Sequence, residues 1–234
     1  MIMQLSYLQN VHLYTVILII IMLIVILFFT THTLLSYTKY GHKAALFLAL
    51  NYFSYVAALT LYFFGHLSVV LTNQVQLHHN LAMFANFFIV LGMIMAMLFY
   101  EQFSKLKKSI KIVAIIAGVS IMVWIALPFN YNVVSPEESS IVLSTYMIMT
   151  TYGFAIYISL TVLFYKTYLR VEGNRRELLS LVVGNFLWVV VFIIRTIYGI
   201  TQLDILEIVG NTIMLCVFVF FFFGLFYFPK TKKD

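Results

Sequence analysis

The chain is poor in cysteine, proline and charge. Its single cysteine, Cys216, has no second thiol to pair with, so no intrachain disulfide staples the fold and redox compartment cannot be read from it. Cys216 sits inside an apolar run, where packing accounts for it. The three prolines, Pro128, Pro136 and Pro229, lie at or outside the ends of apolar runs, which excludes helices broken by proline in mid-membrane. Charged residues make up 9% of the 234 positions, against about a quarter in a soluble domain. With 63% hydrophobic residues and a mean hydropathy of +1.02, this is the composition of an integral membrane protein. The net charge of +6 raises a nucleic-acid reading, but no basic patch with interleaved aromatics lies on a soluble element, and no nucleic-acid partner is expected.

What the chain does have is apolar length. Seven runs can cross a hydrocarbon core of ~30 Å, which takes roughly 20 residues: about 11–31, 44–64, 81–100, 110–128, 141–165, 178–200 and 205–228. The expected fold is therefore all-α, a single polytopic membrane domain over residues 1–234 with seven transmembrane helices. The first run reads as a span and not a signal peptide, because its leader has no Lys or Arg and no small-x-small cleavage pattern follows.

Every basic residue except Arg195 falls between spans one and two (Lys39, Lys43), three and four (Lys105, Lys107, Lys108, Lys111), five and six (Lys166, Arg170, Arg175, Arg176), or after span seven (Lys230, Lys232, Lys233). The alternate connections, 65–80, 129–140 and 199–204, carry no Lys or Arg, and the acids Glu137, Glu138 and Asp204 collect there. The positive-inside bias then puts the N-terminus outside and the C-terminus in the cytoplasm of a multi-pass protein of the cell membrane. The connections are short, and only Phe228 to Asp234 follow Tyr227, so no soluble output domain is expected.

A faint repeat runs through the sequence. Asn51 to Gly65 and Asn185 to Gly199 share length and end residues; Leu98-Phe99-Tyr100 and Leu225-Phe226-Tyr227 both close a span ahead of lysines. These suggest a 3+1+3 plan, with helices 1–3 and 5–7 as parallel repeats and helix 4 as the inverting linker. Chance similarity between aromatic-rich apolar runs is the other reading.

Polar residues inside spans are the functional candidates. Arg195 is the basic residue well inside an apolar run and Glu207 the acid in a similar place, so each is expected to partner the other, with Asp204 in reserve. At 100° per residue, Asn185, Trp188, Phe192 and Arg195 share one face of helix six, Glu207, Gly210, Asn211 and Met214 one face of helix seven, and Tyr146, Thr150, Gly153 and Tyr157 one stripe of helix five. Polar groups in hydrocarbon turn inward, so the three stripes should face one another. Arg195, Glu207, Asn211, Trp188, Tyr146 and Tyr157 are the expected ligand-binding set near the outer ends of helices 5–7. A guanidinium fork there suits a carboxylate or phosphate; a structural clip between neighbouring helices, with Arg195 reaching toward the headgroups, is the alternative.

Asn51, Asn86, Asn185 and Asn211 place an amide in each of four spans, as packing links or the lining of a polar route. His66, His78 and His79 are expected as solvated residues of the first outer connection, with a metal or pH-sensing site as the alternative, which no HxxxH or HExxH spacing supports; His12, His32 and His42 are scattered along helix one and its end. No metal site is expected. Ala114 and Gly118 form a small-x-x-x-small step on helix four, and Trp124 fits an interfacial anchor. No Ser/His/Asp, paired-carboxylate or zinc spacing points to an enzyme.

Seven spans, an outside N-terminus and a 3+1+3 plan resemble the broad class of opsins, sugar-exporter-like transporters and seven-helix receptors, although their diagnostic marks are missing. No Lys lies between Asp204 and Phe228, so no covalent retinal and no other cofactor is expected; span three ends Tyr100-Glu101-Gln102-Phe103 without the receptors' acidic-Arg-aromatic motif. Asn211-Thr212-Ile213-Met214 lacks their Asn-Pro motif. The short loops, basic cytoplasmic face and aromatic-rich helices also resemble the seven-helix sensor regions ahead of kinase or cyclase modules in prokaryotic signalling proteins. The expected function is a stand-alone seven-helix sensor, receptor-like or accessory subunit in the lipid bilayer, with a cytoplasmic or membrane signalling partner at its basic inner loops. A small-solute transporter is the alternative.

Overall fold

Hydrocarbon cannot hydrogen-bond a backbone, so a long apolar run satisfies its own N–H and C=O groups by becoming a helix. A computed structural model describes residues 2–102, 107–130, 136–170, 175–201 and 203–222. Among them the chain is all-helical, with seven α-helices: α1 (Ile2–Tyr40), α2 (Lys43–Thr72), α3 (Val75–Glu101), α4 (Lys108–Ala126), α5 (Pro136–Arg170), α6 (Arg175–Thr201) and α7 (Asp204–Phe222). A single 3-10 turn, Pro128–Asn130, follows α4. Six of the helices are long and apolar enough to cross a membrane, which suggests an integral membrane protein; the apolar part of α7, Ile205–Phe221, is shorter. The span expected at 205–228 runs on into residues 223–234, which lie outside the described residues, as do the Leu225 to Tyr227 half of the repeat and Lys105. The side chains of Glu137, Glu138 and Asp204 also lie outside what is described.

The helices outrun the apolar stretches, and this corrects one connection. Residues 65–80 are not a loop: α2 continues to Thr72 and α3 begins at Val75, leaving Asn73 and Gln74 as the turn. Asn73 adopts a left-handed conformation, φ 55°. Its N–H donates to the Val69 carbonyl at 3.0 Å and the Gln74 N–H to the Ser68 carbonyl at 3.3 Å, closing the helix end. Asparagine tolerates this φ; a β-branched residue does not. Asn73→Val should lower stability by about 1–2 kcal/mol and Asn73→Gly should be near neutral, as read from thermal unfolding of the detergent-solubilised chain. Equal melting temperatures for the two variants would contradict the turn. Gly41, at φ 68°, makes the corresponding turn between α1 and α2, its N–H donating to the Tyr37 carbonyl at 2.7 Å.

Helices α1, α2 and α3 pack consecutively, as do α5, α6 and α7, and α1 meets α7. Helix α4 touches α3 and α5 from outside and is the least enclosed. The small step expected on α4 has a defined use: Tyr152 of α5 donates its hydroxyl to the Ala114 carbonyl at 3.0 Å, beside Gly118, where a Cβ would fall 2.6 Å from that hydroxyl. Trp124 donates to Thr145 Oγ1 at 2.9 Å, and Thr145 in turn donates to Asn130. Lys111 and Glu101 pair across the α3–α4 connection, partly exposed, a link worth about 0–1 kcal/mol.

The amides tie helices together. Asn51 Nδ2 donates to the Gly92 carbonyl of α3 at 2.6 Å. Asn185 Nδ2 donates to the Tyr100 hydroxyl at 2.8 Å, and that hydroxyl lies 3.0 Å from Asn185 Oδ1. The first bridge holds α3 against α2 in mid-helix and the second holds it against α6 near its C-terminal end.

Candidate functional site

The three polar stripes do turn inward. Asn185, Trp188 and Phe192 of α6, Thr150 and Tyr157 of α5, and Glu207, Asn211 and Met214 of α7 are all buried, with Arg195 and Tyr146 half-buried. At their centre is an aromatic stack. Trp188 lies nearly parallel to the rings of Tyr55 (5.2 Å between ring centres), Tyr157 (5.3 Å) and Phe192 (5.9 Å), with Phe218 edge-on at 6.1 Å. The Tyr55 and Tyr157 hydroxyls hydrogen-bond at 2.7 Å, so α2 and α5 are joined by a polar pair while both rings pack on Trp188 of α6.

Above the stack is a cavity of about 40 Å³. Trp188, Phe192 and Arg195 bound it from α6, Tyr55 and Tyr62 from α2, and Asn86 from α3. Tyr146 of α5 lines it too, so three of the six expected ligand-binding residues, Arg195, Trp188 and Tyr146, meet at one space. Tyr157 lies beneath as part of the stack. Asn211 acts on the cavity through Arg195, because the guanidinium Nη2 donates to Asn211 Oδ1.

That bond corrects the expected ion pair. Arg195 is not paired with Glu207. It is held by Asn211 and lies over the Tyr62 ring, 6.0 Å from its centre, while Glu207 Oε1 is 3.1 Å from His66 Nε2. Arg195 of α6 thus meets Asn211 of α7 and the Tyr62 ring of α2, while Glu207, one helical turn before Asn211, meets His66 of α2.

His66 also departs from the expectation of a solvated loop residue. It lies in α2 at 2% exposure, and His78 lies in α3. His12 of α1, 8% exposed, joins them: its Nδ1 is 2.7 Å from His66 Nδ1. Ring centres are 4.9 Å apart for His12 and His66, 5.2 Å for His12 and His78, and 4.4 Å for His66 and His78. His79, by contrast, turns to the Asn130 carbonyl at 3.1 Å. The cluster abuts the cavity through Tyr62, which stacks on His66 with 6.3 Å between ring centres and donates to Asn86 Oδ1 at 2.8 Å. No spacing motif marked the three histidines, since each belongs to a different helix. The available signal was their level: an early position in α1, a late one in α2 and an early one in α3 fall at the same end of three antiparallel helices.

Comparison of the chain with protein-family models, with curated proteins and with solved structures finds no match.

Proposed function

We propose that the chain is a seven-span membrane sensor, receptor-like or accessory subunit that takes a small anionic ligand, a carboxylate or phosphate, into the cavity beside Arg195. The observation that carries this reading is the state of the Arg195 guanidinium. Asn211, Tyr146 and the Tyr62 face orient it at the edge of an aromatic-lined cavity, and the remaining N–H groups of its five-donor fork are those a ligand would take. The cavity is small, so an occupant larger than a few atoms requires the lining helices to part.

On this reading the N-terminus is outside and the cavity opens near the outer leaflet, because the basic residues Lys39, Lys43, Lys107, Lys108, Arg170, Arg175 and Arg176 lie at the opposite helix ends. Those ends would face anionic lipid headgroups and a signalling partner in the cytoplasm or membrane. The 3+1+3 plan belongs to the same reading, with α1–α3 and α5–α7 as the repeats and α4 as the linker.

Trp188 supplies the test. In a Trp124→Phe background Trp188 is the chain's one remaining tryptophan, and small carboxylates and phosphates titrated onto the chain in nanodiscs should change its fluorescence, excited at the red edge of the tryptophan band, saturably. Arg195→Met should weaken the response at least about tenfold, the loss of a charge-assisted hydrogen bond of about 1.5–3 kcal/mol. A silent Trp188 across the panel refutes the binding reading. Uptake of the same solutes into proteoliposomes above the rate of empty liposomes would favour the transporter.

A further inference from the structure

The end of the bundle formed by α1, α2, α3 and α7 holds an arrangement that the ligand cavity does not explain. Three imidazoles from three helices converge, and one ring nitrogen from each of His12, His66 and His78 lies within 4.8 Å of the others. His12 and His66 are buried, and His78 Nδ1 is a buried atom with no hydrogen-bond partner. Leaving such a nitrogen unsatisfied costs about 1–3 kcal/mol. Gly65 makes room for it: a Cβ there would fall 2.9 Å from His78 Nδ1.

We propose that His12, His66 and His78 form a binding site for a divalent first-row transition metal, with zinc the fitting ion, and that Glu207 is the outer carboxylate orienting it. Three neutral imidazoles with a fourth position left for water or another small ligand are a donor set that zinc accepts. Metal-bound histidines characteristically donate their other ring N–H to a carboxylate, and His66 Nε2 stands 3.1 Å from Glu207 Oε1 in that relation.

The tautomers follow from this contact. With the His66 proton on Nε2 toward Glu207, its Nδ1 carries a lone pair, and His12 Nδ1–H fills it across 2.7 Å. A metal replaces that proton. His12 takes its other neutral tautomer and both Nδ1 lone pairs face the ion. Metal–nitrogen bonds of about 2.0–2.1 Å in tetrahedral geometry separate ligand nitrogens by about 3.3 Å, so His12 and His66 part by roughly half an ångström. His78 supplies the third nitrogen. The site is independent of the anion reading at Arg195 and stands or falls separately.

The experiment uses the full chain in nanodiscs, in a Cys216→Ser background and purified without a polyhistidine tag, stripped with chelator and titrated with Zn²⁺. Calorimetry and elemental analysis should give one zinc per chain. Co²⁺ in its place should show the visible absorption of a four-coordinate site. His78→Gln and His12→Gln should each weaken zinc binding more than about 100-fold and abolish the cobalt spectrum, while Glu207→Gln weakens it about 10- to 100-fold, the range for outer-shell partners. His32→Gln, at an exposed position of α1, should bind as the parent does. Circular dichroism of each variant separates lost binding from lost fold. His78→Gln is the decisive substitution, because His78 is the least buried of the three. Substoichiometric zinc in the parent, or parental affinity and spectrum in folded His78→Gln, overturns the proposal and leaves a hydrogen-bonded histidine cluster.

Discussion

Gly153→Leu should leave no folded, monodisperse protein in detergent. A Cβ at position 153 would lie 2.5 Å from Phe192 Cζ and 2.9 Å from Met93 Cε. The methionine end can swing aside, but the Phe192 ring cannot, since it is buried and stacked against both Tyr157 and Trp188. Adding one carbon to so tight a contact costs about 1–3 kcal/mol, and a branched side chain exceeds what the packing can absorb. Gly153→Ala is expected at the upper end of that range, with partial rescue by Phe192→Leu. Fluorescence-detected size exclusion and thermal melting measure both. A parental melting point for Gly153→Leu would mean that α5 and α6 do not meet as described.

Removing His66 should damage the fold more than removing Glu207. His66→Ala strands a buried carboxylate, a loss of about 3–5 kcal/mol when one member of a buried pair is deleted. Glu207→Ala strands one imidazole N–H, about 1–3 kcal/mol. The double variant should be well short of the sum, since neither group is then left without its partner. The same cycle run on Arg195 and Glu207 should return the smaller coupling, because Arg195 bonds Asn211. A larger coupling for Arg195 with Glu207 than for His66 with Glu207 would restore the pairing expected from the sequence. Unfolding in mild detergent with a denaturant, followed by Trp fluorescence, provides the free energies.

How much of the site was legible differs from residue to residue. The inward faces of α5, α6 and α7 were, because each stripe lies within one helix and 100° per residue fixes which side chains stand together. Trp188 beside Arg195 and Tyr146 across from them follow from that rule with one further assumption, that polar faces seek the interior. The partner of Glu207 was not legible. Arg195 and His66 are both plausible by level in the membrane, and the choice depends on how far α7 is rotated about its axis relative to α2 and α6. The histidine cluster escaped for a related reason: reading 65–80 as a loop moved His66 and His78 into solvent, whereas their helices run on and meet at a two-residue turn.

By itself the sequence determined that the chain is built of long helices apolar enough to cross a membrane, which residues those helices turn inward, and where the basic residues lie. It does so because hydrocarbon imposes helix on every apolar run and because helical periodicity is a local property. Only the tertiary structure decided which helix faces which, that Glu207 joins His66 and Arg195 joins Asn211, and that three histidines remote in sequence share one end of the bundle. Those depend on the rotation and relative depth of whole helices, which are set by the packing of aromatic rings and glycines between them and by no residue alone.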